Sequence, residues 1–156
     1  MSLMYTESIL KELGQAVSGI REEELQKAAD LILGARQIFC DGLGRSGLSC
    51  KAFAMRLMHL GCRSYVVGET TTTAIQKGDL LLLCSGSGES KALISHGEKA
   101  KEKGAALLLV TGNLESTLGK MADVTLVVKA PKKEDREAAS IMPMGTLFRS
   151  EERRVG

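Results

Sequence analysis

The sequence predicts a doubly wound α/β sandwich, with three layers built around a five-stranded parallel sheet. The first observation is that five short apolar or β-branched runs alternate with segments of helical spacing. The second is that the runs Leu80–Cys84 and Ala106–Val110 are almost continuous in leucine and valine. Strands buried on both faces have this composition, and they belong to parallel sheets covered by helices. The length of 156 residues corresponds to one domain.

Each element follows from its own spacing. Apolar residues recur at helical intervals in Ile9–Val17 and in Leu25–Leu33, and Gly34 stands where the second helix should end. The later segments alternate between strand and helix. The predicted strands are Gln37–Cys40, Ser64–Val67, Leu80–Cys84, Ala106–Val110 and Val124–Val128, and the predicted helices between them are Leu48–Leu60, Glu89–Lys103 and Glu115–Met121.

The last part of the chain departs from this pattern. Lys129–Ala139 is charged and contains proline, so we expect a solvated loop, and Ser140–Phe148 returns to apolar residues as if to begin another element. Arg149–Gly156 reads RSEERRVG, which resembles the translation of a sequencing-library adapter. We therefore expect one domain over residues 1–148 whose last element is incomplete, followed by a non-native tail over residues 149–156.

Composition argues against several functional classes. The net charge is only +2, and three phenylalanines, two tyrosines and no tryptophan offer little for stacking on bases, so we expect no nucleic-acid partner. Neither a membrane-spanning run nor a signal peptide is evident, so we expect a cytoplasmic protein without a membrane partner. The four cysteines contain no CxxC pair and the two histidines no HExxH motif, so we expect buried thiols and no metal site.

Two glycine- and serine-rich turns are the candidate binding site. Each follows a predicted strand and opens a predicted helix, where unpaired N–H groups favour a phosphate. Glycine permits close backbone approach, serine adds hydroxyl donors, and Arg45 adds a fixed positive charge. The candidate binding residues are Gly44, Arg45 and Ser46 in the first turn and Ser85, Gly86, Ser87, Gly88 and Ser90 in the second.

Two other interpretations of these turns remain open. The first turn matches GxGxxG, but no acidic residue follows at about 20 positions to contact a ribose, which disfavours a dinucleotide site. Both turns could also be nothing more than tight connections between strands and helices.

The motif SGSGES resembles the phosphosugar loop of sugar isomerase (SIS) domains. The runs GLGRSGLSCKAFAMRLMHLG, VGETTT and MPMGTLF resemble, in order, the 6-phospho-3-hexuloisomerase branch of that family. The resemblance implies a flavodoxin-like fold and a homo-oligomer, dimer or tetramer, with shared active sites. It implies conversion of 3-hexulose 6-phosphate to fructose 6-phosphate through a cis-enediol, in formaldehyde assimilation by the ribulose monophosphate pathway, without a cofactor.

The resemblance also assigns roles to single residues. It implies that the four serines hold the phosphate, that Arg45 lies near the sugar or its phosphate, and that His59 is a catalytic candidate. His59 would contact sugar hydroxyls across a subunit interface, although a core or interface histidine is an equal alternative. We expect Glu69 to brace its loop and Glu89 to lie in the first turn of a helix.

The resemblance departs from the family after Phe148. The family's expected base is a glutamate at the next position, where this chain has Arg149. We therefore expect this chain to bind phosphosugar and not to isomerise it. Two other functions remain open: an isomerase of another SIS-type substrate, such as arabinose 5-phosphate, and a non-catalytic phosphosugar sensor. A sensor fused to a DNA-binding domain would need a basic helix-turn-helix, and the first 35 residues are more acidic than basic.

Overall fold

The computed structural model describes residues 3–129, in which five helices and five strands occur. The predicted loop beyond Lys129, the segment Ser140–Phe148 and the tail 149–156 lie outside the described residues. In chain order the elements are α1 (Leu3–Ser18), α2 (Glu22–Gly34), β1 (Ile38–Gly42), α3 (Gly44–His59), β2 (Ser64–Val66), β3 (Leu80–Cys84), α4 (Lys91–Glu102), β4 (Ala106–Thr111), α5 (Thr117–Met121) and β5 (Val124–Val127).

The strands form one sheet in the order β2-β1-β3-β4-β5, and every neighbouring pair is parallel. β1 and β3 pair along their whole length, from Ile38 opposite Leu80 to Gly42 opposite Cys84. The strand order reverses direction between these two strands. An open parallel sheet binds its ligand at such a reversal, beyond the carboxyl ends of the strands.

Helices cover both faces of the sheet, which confirms the predicted three-layer sandwich. On one face, α2 and α3 pack on a core that includes Ile38 and Cys40, and on the other, α4 and α5 pack on a core that includes Phe39. Successive strand residues point to opposite faces, so the continuous apolar runs supply both cores at once. The leucines of β3 and β4 are almost fully buried for this reason.

The amino ends of β1 and β3 are joined by an ion pair. Arg36, just before β1, donates from Nε and Nη2 to the Asp79 carboxylate at 3.1 and 3.0 Å, and the Gln76 N–H donates to the same carboxylate at 2.7 Å. Asp79 is buried, and the guanidinium and backbone N–H donors compensate its carboxylate for the loss of water. This contact fixes one end of the two central strands, opposite the predicted binding turns.

The predicted boundaries differ from the structure at the start of α1, which begins at Leu3 and not at Ile9, and at the start of α3. The helix begins at Gly44 and not at Leu48, because Gly44 has a φ of +55° and turns the chain directly into the helix. The difference matters because it places Arg45 and Ser46 in the first turn of α3.

No helix in the described part of the chain is long and apolar enough to cross a membrane.

The prediction that the cysteines are buried is confirmed for three of them and is only partly correct for the fourth. Cys40, Cys50 and Cys84 are buried, and Cys62 is half-buried. The reason is position: the first three lie in β1, α3 and β3, whereas Cys62 lies between α3 and β2.

Candidate functional site

Both predicted turns lie side by side at the carboxyl ends of β1 and β3. Gly42, at the end of β1, is the register partner of Cys84, and Ser85 follows Cys84 directly. The first turn therefore lies beside the second, at the point where the strand order reverses. This is where the fold places a ligand.

The first turn depends on a close approach between β1 and α3. A Cβ atom on Gly47 would overlap the carbonyl oxygen of Gly42, and a Cβ atom on Gly42 would lie 3.0 Å from the carbonyl oxygen of Cys84. Both glycines are therefore required by packing against backbone atoms that have little room to shift. Ser46 is buried in this turn, and Arg45 is half-buried.

The second turn is shaped by its own serine side chains. The Ser85 hydroxyl accepts a hydrogen bond from the Gly88 N–H at 3.1 Å, and the Ser87 hydroxyl accepts one from the Glu89 N–H at 3.3 Å. Gly88 has a φ of +70°, a region that residues with side chains rarely occupy. Ser87 is exposed, Ser85 is buried, and Ser90 is the N-cap of α4 without a capping bond from its hydroxyl.

The segment between β4 and α5 braces the second turn. The Leu118 N–H donates to the Gly88 carbonyl oxygen at 3.1 Å, and a Cβ atom on Gly88 would overlap the Ser116 side chain. The Glu89 carboxylate accepts hydrogen bonds of 2.8 Å from both the N–H and the hydroxyl of Thr117. These bonds lower the pKa of Glu89 below its ordinary range.

The expectation for Glu89 is therefore wrong in one respect. Glu89 precedes the N-cap of α4, so it does not belong to that helix's first turn. Its carboxylate instead meets the amino end of α5, where the N–H groups at the start of the helix favour negative charge. The sequence could not show this, because the contact joins residues 28 positions apart.

The combined surface of the two turns is suited to a small anion. The amino ends of α3 and α4 both open at this point, and their first N–H groups have no partner within their own helices. Exposed and half-buried serine hydroxyls and the guanidinium of Arg45 lie in the same turns. The arrangement can hold a phosphate by hydrogen bonds and charge, without a metal.

The structure does not bring His59 to these turns. His59 is the last residue of α3 and Gly44 is the first, and a helix of 16 residues separates its ends by about 22 Å. Within one chain, His59 therefore lies at the opposite end of α3 from Ser46. It is exposed there.

The carboxylate of Glu69 pairs with a lysine of α3. The Lys51 Nζ lies 2.7 Å from the Glu69 Oε1, and this bond and charge lower the pKa of Glu69. The Glu69 backbone also joins the loop, since its carbonyl oxygen accepts from the Thr72 N–H at 3.0 Å. These contacts are those of a residue that braces its loop.

One pair of side chains at the site was not predicted. Asp41 is the penultimate residue of β1, and its carboxylate Oδ2 lies 2.6 Å from Nδ1 of His96 on α4. His96 also lines a cavity of about 160 Å³ beside Phe39, Thr72 and Lys99. A charged residue inside the apolar run IFCDG was the only sequence signal for this pair, and nothing in the sequence pointed to His96 as its partner.

Three thiols lie beneath the turns. The Cys50 thiol donates to the Asp41 carbonyl oxygen at 3.1 Å, and a hydrogen bond with Cys84 lowers the pKa of Cys50 while raising that of Cys84. Burial raises the pKa of Cys40 to about 12. Among residues 3–129, no three cysteine, histidine or acidic side chains are placed to hold a metal ion.

Comparison with known protein families gives one match that spans most of the chain. Residues 31–147 match the family model of the SIS domain. This range includes both turns, all five strands and the helices α3, α4 and α5.

Relatives with assigned activities cover most of the chain. A Bacillus subtilis protein named 3-hexulose-6-phosphate isomerase is 43% identical over 146 residues, which is 92% of this chain and 79% of the relative. A Mycobacterium gastri protein of the same name is 39% identical and covers 88% of this chain and 69% of its own length.

A solved structure supports the same likeness. A Methanococcus jannaschii protein, for which a 3-hexulose-6-phosphate isomerase function was inferred from its crystal structure, superimposes with a TM-score of 0.71. It is 36% identical, and the match covers 83% of this chain and 73% of that one.

Proposed function

The chain belongs to the SIS domain family, and on that basis we propose that its sequence is that of an isomerase that converts 3-hexulose 6-phosphate to fructose 6-phosphate. Arg149 stands where the resemblance places the base, so we expect this chain to bind the substrate and not to isomerise it. The observation that carries the proposal is the likeness, over most of the chain, to several relatives that are named for this activity. The geometry of the two turns agrees with it, because the substrate and the product share a terminal phosphate.

The phosphate is held by the two turns. Ser46, Ser85, Ser87 and Ser90 supply hydroxyls, and Gly44, Gly86 and Gly88 let the backbone N–H groups approach the anion. Arg45 offsets the negative charge of the phosphate or of the adjacent sugar oxygens. With the phosphate fixed, the carbon chain of the sugar extends away from the turns with its C2 and C3 at a constant distance from the anion.

The reaction moves a carbonyl group from C3 to C2. A base removes the proton from C2, a cis-enediol forms, and the proton returns to C3, so one carboxylate can carry the proton in both steps. Hydrogen-bond donors and positive charge stabilise the enediolate oxygen as negative charge develops on it. Glu69 and Glu89 are poor candidates for this base, because their carboxylates are paired and their pKa values are lowered. The position that the resemblance assigns to the base follows Phe148 and lies outside the described residues.

A second copy of the chain completes the proposed site. Leu48, Ala52, Met55 and His59 recur along one side of α3, and all four are exposed, with Leu48 at 68% and Met55 at 50%. Packing this apolar stripe against another copy would remove it from water and carry His59 to the neighbouring subunit. On this basis we propose a dimer or tetramer. We place the protein in the cytoplasm because its relatives are named for a metabolic enzyme.

The proposal is tested by binding and by turnover. Titration with fructose 6-phosphate should give saturable binding, and the change Ser87→Ala should weaken it by about ten- to a hundredfold, since it removes a donor to a charged acceptor worth roughly 1.5–3 kcal/mol. Ser18→Ala, an exposed serine on α1, is the matched control and should change nothing. Turnover is followed as conversion of 3-hexulose 6-phosphate to fructose 6-phosphate, with arabinose 5-phosphate as the competing ligand and substrate. A normal enzymatic rate would show that the base is not at the position of Arg149. Equal affinity of the Ser87 variant and the unchanged protein, or preference for the pentose, would contradict the assignment.

A further inference from the structure

Asp41 contacts both helices of the proposed phosphate site. Its carbonyl oxygen accepts a hydrogen bond of 3.1 Å from the thiol of Cys50 on α3, and its carboxylate Oδ2 lies 2.6 Å from Nδ1 of His96 on α4. The other carboxylate oxygen accepts from the Gly42 N–H at 2.7 Å. Since α3 begins at the first turn and α4 at the second, Asp41 connects the two turns through their helices.

The two side chains of this pair differ in their exposure to water. The Asp41 side chain is 9% exposed and that of His96 is 40% exposed, so the carboxylate is largely removed from water while the imidazole reaches the surface. A carboxylate in that position needs hydrogen-bond donors, and it has them in Gly42 and His96. Without His96, one oxygen of Asp41 would lose its donor, and α4 would lose its polar contact with β1.

We propose that Asp41 and His96 are positioning residues that hold the two turns at the separation a phosphate requires. The inference rests on the proposed function, because it concerns the same anion site. Neither side chain has to touch the ligand: Asp41 fixes the Gly42 N–H at the first turn, and His96 fixes α4, whose amino end is the second turn. The pair thereby places hydrogen-bond donors from two separate helices around one anion before the anion arrives.

The test measures affinity for inorganic phosphate and for fructose 6-phosphate by calorimetric titration of the full chain. His96→Phe keeps an aromatic ring and removes the hydrogen bond, and it should weaken the binding of both ligands by roughly tenfold, which corresponds to about 1.4 kcal/mol, the size of one typical hydrogen bond. His96→Asn retains an N–H close to the position of Nδ1 and should recover most of the affinity. The double variant Asp41→Ala with His96→Phe should bind no more weakly than Asp41→Ala alone, since both changes remove the same contact.

A matched control lies on the same helix. Lys101, near the carboxyl end of α4, contacts Asp123 at 2.6 Å, the same distance as the Asp41–His96 contact but at the opposite end of the helix from the second turn. Lys101→Ala should leave phosphate affinity unchanged. If it weakens phosphate binding as much as His96→Phe does, the effect is general loosening of α4 and the proposal is overturned.

The remaining outcomes separate this inference from the proposed function. Unchanged phosphate affinity in His96→Phe would overturn the positioning role, as would loss of affinity for the sugar phosphate alone, which would mean direct contact with the sugar. Failure of the unchanged protein to bind either phosphate would overturn both proposals. Normal phosphate binding with the expected losses in the variants would support the positioning role whether or not the chain turns over 3-hexulose 6-phosphate, because Arg149 holds the position expected for the base.

Discussion

Replacing Gly88 by alanine should destabilise the protein strongly, for two reasons that the chain allows to be separated. Gly88 has a φ of +70°, and a Cβ atom there would overlap the Ser116 side chain. The left-handed conformation costs a residue with a side chain roughly 1–2 kcal/mol. Forcing an extra carbon into a packed site costs about 1–3 kcal/mol more. The expected sum is about 2–5 kcal/mol.

Three other glycines supply the matched series. Gly44 has a φ of +55° but open space around its missing Cβ, so Gly44→Ala should show the conformational cost alone. Gly47 is helical, and its Cβ would overlap the Gly42 carbonyl oxygen, so Gly47→Ala should show mainly the packing cost. Gly14 is helical with open space, and Gly14→Ala should stabilise by roughly 0.5–1 kcal/mol.

Thermal unfolding followed by circular dichroism measures all four. For a chain of this size, each kcal/mol changes the melting temperature by roughly 2–4 °C. The expected order of melting temperatures places Gly14→Ala above the unchanged protein, Gly44→Ala a few degrees below it, and Gly88→Ala lowest. If Gly88→Ala and Gly44→Ala have the same melting temperature, Ser116 moves aside at no cost in free energy, and the packing argument is refuted.

Three further predictions concern the ion pair, the pH dependence and the assembly. Asp79→Ala should lower the unfolding free energy by roughly 1–3 kcal/mol, because the Gln76 N–H and the Arg36 guanidinium lose a buried acceptor. Urea titration measures this change, and a loss below about 0.5 kcal/mol would show that water replaces the carboxylate fully. The folded-state pKa of Glu89 is lowered from 4.5, so its stabilising contribution is complete above that value and is lost as the pH falls through the lower folded pKa. Glu89→Gln should therefore flatten this part of the stability profile between about pH 5 and pH 3, and an unchanged slope would contradict it. Met55→Glu on the apolar stripe of α3 should shift the mass measured by light scattering toward the 16.7 kDa of one chain, whereas a protein that already has this mass before substitution would exclude the stripe as an interface.

Most of the fold could be predicted from the sequence, because burial leaves a direct record in composition. β3 and β4 are buried on both faces, so they carry unbroken leucine and valine, and the predicted bounds of β3 agree with the structure at both ends. The shortest strand, β2, is half-buried, yet its short run of apolar and β-branched residues was sufficient to predict it. The start of α3 was harder to predict, since it depends on the conformation of Gly44 and not on apolar spacing.

The candidate site was predicted in part for the same kind of reason. Glycine and serine turns after strands are local features, so the residues of both turns could be named from the sequence. The partners of those turns are not local. His96 meets Asp41 across 55 positions and Thr117 meets Glu89 across 28, and each contact depends on how α4 and α5 pack on the sheet. Side-chain pairs of this kind are determined by tertiary packing, which a single sequence does not display.

The bracing of the second turn by α5 has a thermodynamic consequence. The turn and α5 are joined by the hydrogen bonds of Gly88 with Leu118 and of Glu89 with Thr117. A ligand that orders the turn should therefore also stabilise α5 against local unfolding. A substitution in α5 that loosens this helix should therefore also reduce the affinity of the turn for its ligand, to the extent that the loosened state is populated. Hydrogen exchange at the Leu118 amide should therefore slow on addition of phosphosugar, although that residue is buried and contributes no atom to the binding surface.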